Sequence, residues 1–131
     1  MTPMRVLPFL VLLSAAACHT KDEARALVTA VDAFRAASND DKPAKGDAID
    51  KVECNDKDVC AVKEACRKSA DATARGLRLQ KEVEKGSRDS GAYPDDLAQK
   101  WKQASSDLAE GYGYLDDCRN KTQALKERFG I

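Results

Sequence analysis

Apolar and polar positions follow a helical period along most of the chain. The clearest stretch comes after Pro94. There Leu97, Trp101, Ala104, Leu108, Gly111, Leu115, Cys118, Thr122, Leu125 and Phe129 follow one another at alternating spacings of four and three. That heptad-like, mostly apolar stripe predicts one long helix. Pro94 suits a first helical position, and Asp95 and Asp96 complement the positive end of the helix dipole. Upstream, Val59, Val62, Cys66, Ala70, Thr73 and Leu77 sketch a facing stripe on a second long helix. Asn55 followed by Asp58 forms a capping arrangement at its start, no proline interrupts it as far as Lys85, and Gly86 is its expected stop. "GSRDSGAYP" is the turn between the two. Nearer the N-terminus, Ala24, Leu27, Val28, Val31 and Phe34 alternate with charged positions and predict an amphipathic helix over 21–38. "SNDDKPAKGD" then breaks the chain at Pro43 and Gly46, leaving room for a short helix from Asp47 to Val52.

These elements predict an all-α fold: a long antiparallel helical hairpin with the N-terminal helix packed along it, a three-helix bundle. The 131 residues suit one domain. Only 5% are aromatic and alanine supplies much of the apolar fraction, so the core is thin and a covalent brace would help.

The chain has five cysteines, Cys18, Cys54, Cys60, Cys66 and Cys118. Cys66 and Cys118 lie equally far from Ala92, inside the turn, and both sit on core stripes. Cys60 points to a solvated side with Glu64, Arg67 and Asp71, where Cys54 can fold back to meet it. The rival pairing of Cys60 with Cys118 strands Cys54 and Cys66 about 15 Å apart along the helix, beyond the ~6 Å a disulfide tolerates. The expectation is therefore a brace of Cys54–Cys60 and Cys66–Cys118. The alternative is a thiol redox or metal site using Cys54, Cys60 and Cys66. Against it stand a C-x5-C-x5-C spacing without C-x-x-C and an exported chain, which favours disulfides.

Export is read from residues 1–17. Arg5 supplies a positive start, Val6 to Leu13 is a short apolar run, and Ser14 to Ala17 are small. The apolar run is too short to span a bilayer, which needs about 20 residues. Either Met1 or Met4 can begin such a signal. Ala15-Ala16-Ala17 fits ordinary secretory cleavage, which would leave Cys18 a free thiol. Small residues directly before Cys18 also resemble the lipobox of bacterial lipoproteins, although Ala15 stands where that family usually has leucine. The chain thus resembles small bacterial lipoproteins with a helical, cysteine-containing mature domain. The resemblance implies lipidation of Cys18, residues 18–20 as anchor and tether, and a helical domain over 21–131. Parity agrees: with Cys18 lipidated, four cysteines remain to pair. His19, in place of the aspartate that retains such proteins in the inner membrane, implies the outer membrane, facing the periplasm.

Charge adds exclusions. Lysine plus arginine and aspartate plus glutamate each number 22, so no basic field points to nucleic acid. The sole histidine, His19, sits beside the expected anchor, which leaves the domain without histidine for a catalytic triad or a metal site. Phosphate-cradling glycine motifs are missing, and the acidic clusters lack the calcium-loop pattern. No catalytic residue, cofactor or metal is expected. The expectation is a non-enzymatic envelope protein, anchored to the membrane through Cys18, that binds or spaces an unidentified envelope partner. The candidate contact is "GYGY": Gly111 on the core stripe lets another backbone approach, while Tyr112, Gly113 and Tyr114 beside it suit a partner surface. The bland reading is that both rings merely cover the seam under the first helix.

Overall fold

The structure, a computed structural model, describes residues 11–91 and 95–131, with side chains from Ala17 onward. The expectations placed on Met1, Met4, Arg5 and the run from Val6 to Leu10, and on Ala92 and Pro94, lie outside the described residues. The described chain is helical, with four helices: α1 (Val11–Ala36), α2 (Lys42–Asp50), α3 (Lys57–Ser90) and α4 (Asp95–Phe129). No strand occurs among these residues.

α3 and α4 are antiparallel partners. Arg128 bridges Asp56 at one end, Ser69 meets Gly111 midway, and Lys100 pairs with Glu82 at the other end. α1 runs in the direction of α3, since Glu23, midway along α1, meets Asn55 just before α3, and Asp40, just past the end of α1, meets Lys81 far along α3. Leu27, Val31 and Phe34 of α1, Ile49 of α2, Val59 and Cys66 of α3, and Cys118 and Leu125 of α4 make one core. That core occupies the cysteine-bearing end of the hairpin.

Several boundaries differ from the sequence expectation, each for a local reason. Pro43 does not break the chain; it opens α2, where a proline has no amide hydrogen bond to forfeit. Gly46 lies buried inside α2, and a Cβ there would come within 3.3 Å of the Ala70 Cβ, so the glycine lets α2 cross α3 closely. The cap of α3 is Asp56, one residue after Asn55; its carboxylate accepts from the amides of Asp58 (2.9 Å) and Val59 (3.2 Å). α3 also passes straight through Gly86 and ends at Ser90, because Gly91 (φ +60°) supplies the left-handed cap. Gly86 serves packing, since a Cβ there would stand 2.8 Å from a Leu97 methyl. α1 begins upstream of residue 21 and ends at Ala36.

The α4 stripe is buried at Leu97, Ala104, Gly111, Cys118, Thr122 and Leu125. Trp101 departs from it and is 46% exposed. α3 meets Leu108 at Gly76 and Leu97 at Gly86, and Trp101, between those two contacts on α4, borders a surface hollow with Val83, Glu84 and Arg88. Trp101 therefore lies on the flank of the seam.

Candidate functional site

The cysteine framework comes first, because it fixes the geometry of everything near the core. Cys54, in the loop before α3, meets Cys60 on its first turn at a Cα separation of 5.2 Å. Cys66 and Cys118 face each other across the α3–α4 seam at 4.6 Å, and both are buried. Each pair stands at disulfide distance. Thr122 seals the second bridge by donating its hydroxyl to the Cys118 carbonyl (2.7 Å) while lying 3.5 Å from the Cys66 sulfur. Cys54, Cys60 and Cys66 therefore do not converge on one point, and among the described residues no group of three metal-type side chains does. Cys18 is the free cysteine, and it is exposed on α1.

Beside Cys18 the structure shows a carboxylate that the sequence reading passed over. Glu23 is buried on α1 and accepts from the backbone and side-chain amides of Asn55. Those hydrogen bonds, the backbone one foremost, hold its carboxyl below the usual glutamate range. His19 approaches the same carboxylate at 3.2 Å. Glu23 thus ties the loop that bears Cys54 to the middle of α1. Its spacing of four before Leu27, on the apolar face, was the available signal. Lys42 was missed as well. Its ammonium donates to the carbonyls of Phe34 (3.1 Å) and Ala37 (2.9 Å), closing the C-terminal end of α1, and it lies over the Phe34 ring.

"GYGY" divides into separate surfaces. Gly111 is a point of close approach between α3 and α4: a Cβ there would collide with the Thr73 hydroxyl and stand 2.9 Å from the Thr73 amide nitrogen. Ser69 donates its hydroxyl to the Gly111 carbonyl at 2.7 Å. Tyr112, 76% exposed, lines a groove of about 320 Å³ with Phe34, Arg35, Lys42, Leu108, Leu115 and Arg119. Gly113 faces open space, and Tyr114 lies outside the groove lining. Two residues along a helix turn a side chain by roughly 200°, so Tyr112 and Tyr114 do not share one patch. Nor does α1 cover Tyr112.

Comparison with known protein families, with curated proteins and with solved structures finds no match.

Proposed function

We propose that this protein is a non-enzymatic, lipid-anchored protein of the cell envelope. Lipid on Cys18 holds it to the outer membrane, and its helical domain binds a partner on the periplasmic side. The observation that carries the reading is the state of the cysteines. Four stand in two pairs at disulfide distance, and the fifth, Cys18, is free and exposed next to the run of small residues. A lipidated Cys18 accounts for the odd count, and acyl chains contribute about 0.8 kcal/mol per buried methylene to anchoring. Among the described residues no helix is long and apolar enough to cross a membrane, so lipid on Cys18 is the attachment proposed. The working unit in this reading is the three-helix bundle of α1, α3 and α4, with α2 as a strap. Because α1 and α3 run the same way, the hairpin turn points away from the anchor. α3 alone, with 34 residues, extends about 50 Å.

Intact mass of protein extracted from the membranes of its native host tests the anchor. The expected species begins at Cys18 and carries added acyl mass, while Cys18→Ser abolishes both that mass and the membrane association. A soluble chain beginning at Cys18 with no added mass overturns the reading.

A further inference from the structure

α1 ends at Ala36 and the loop after it reaches α3 at Lys81 through Asp40; beyond that, among the described residues, α3 and α4 run on without a third helix along them. On the side that α1 covers lower down, α4 carries Trp101, Leu108 and Leu115 at heptad spacing, with Tyr112 between the last two. Trp101 and Tyr112 are the most exposed of these; Leu108 and Leu115 are half-buried. The groove at Tyr112 opens where α1 stops. A second hollow, about 480 Å³, lies toward the turn against Val83 and Trp101, with one charge of each sign, Glu84 and Arg88, in its lining. Charge along the first groove is one-sided: Arg35, Lys42 and Arg119 line it, and no acidic side chain does. Arg35 and Arg119 reach only aspartates of their own helices, at 3.9 and 3.4 Å, and such exposed pairs are worth little.

We propose that this uncovered seam is the docking site for an amphipathic helix of a partner protein, one whose apolar stripe is flanked by aspartate or glutamate. The inference rests on the partner-binding half of the reading above and names the partner's chemistry. Spacings of four and seven along α4 match the anchor spacing by which a helix lies in a groove. α1 supplies the precedent, since its Leu27, Val31 and Phe34 already fill the same seam at the cysteine end. Lys42 caps the last carbonyls of α1, so an incoming helix meets a cation there instead of the negative end of a dipole. Arg35 and Arg119 offer planar forks that carboxylates accept in bidentate fashion. A second copy docked about a two-fold axis would set one basic groove against another, which disfavours self-association.

Trp101 is the chain's single tryptophan, so its fluorescence reports on the seam. The full chain carrying Cys18→Ser, which needs no lipid to hold it, is titrated with a designed peptide of about four helical turns. Its leucine stripe is flanked by glutamate, and a lysine-flanked counterpart is titrated alongside. The expected result is a saturable blue shift with the acidic peptide and binding weaker by about tenfold with the basic one. Arg35→Glu combined with Arg119→Glu should weaken the acidic peptide by a similar factor while circular dichroism stays unchanged. If that variant loses helicity, Tyr112→Asp at an exposed position takes its place, with the same weakening expected. Equal binding of both peptides, or no shift up to about 1 mM, overturns the proposal. So does a shift produced by protein concentration alone with a doubled mass, which identifies a second copy. A shift on adding anionic lipid without peptide identifies a membrane surface and likewise overturns it. None of these readings depends on the mass at Cys18, so failure here leaves the lipid anchor standing, and an unlipidated Cys18 leaves the groove standing.

Discussion

Gly111 and Gly113, two positions apart in α4, have opposite surroundings. A methyl at Gly111 would be driven into Thr73 and toward the Ser69 carbonyl, while one at Gly113 meets nothing within 4 Å. Gly111→Ala should therefore destabilise the domain, because overpacking against backbone costs ~1–3 kcal/mol and outweighs the helix propensity gained. Gly113→Ala should stabilise it by about 1 kcal/mol. Urea midpoints of the two variants check both signs. Glu23 supports a pH prediction. Its carboxyl is held low by the Asn55 amides, so its contribution is complete above the unfolded value, near ~4.3, and is lost as pH falls through the depressed folded value. Asp56, lowered by Arg128, and Asp40, lowered by Lys81, act in the same direction. Glu23→Gln should lower stability at neutral pH and flatten part of the acid limb below about pH 4.3. Parallel acid limbs in variant and wild type would show that Glu23 is not involved.

Helix ends and helix braces belong to the next scale. Cys66–Cys118 closes a loop of 52 residues and Cys54–Cys60 one of 6. In the loop-entropy model the long bridge is worth about 4 kcal/mol and the short one about 2. Cys66→Ala with Cys118→Ala should thus lower the melting temperature more than Cys54→Ala with Cys60→Ala. Thermal unfolding of the two double variants, with and without reductant, measures the difference. Equal losses would mean that native strain or residual unfolded-state structure outweighs loop length. At this scale the sequence was most legible. Both stripes of the hairpin, the facing cysteines and the all-helical character could be read, since a helix repeats every 3.6 residues whatever lies around it. The stops were less so. Gly86 and Gly91 are both glycine, and only the position of Leu97 shows that the first makes room for a side chain while the second bends the chain.

For the molecule as a whole, the hairpin has two unequal ends. The end bearing the cysteines holds the cluster of Leu27, Ile49, Val59 and Leu125 under α1 and α2, while among the described residues the end toward the turn has only its own two helices. Local opening free energies follow buried contacts, so amide exchange should be graded. Amides in 80–90 and 95–105 should exchange sooner than those in 62–74 and 114–125. Docking of the acidic helix should slow exchange in 100–112 selectively. Uniform protection along α3 and α4 would show that the hairpin opens as one unit.

The amino-acid sequence by itself determined the helices, their apolar faces and the cysteine partners that a hairpin can bring together. Those properties depend on spacing along one chain. The tertiary structure alone decided what covers each face. Trp101 keeps its place in the α4 pattern yet stands exposed, because α1 stops short of it. Glu23 belongs to an apolar face yet holds a loop, because Asn55 reaches it from 32 residues away. Tyr112 lines a groove and Tyr114 does not, because the groove exists only where the end of α1, Lys42 and α4 meet. Such juxtapositions arise from distances between elements, which periodicity does not encode.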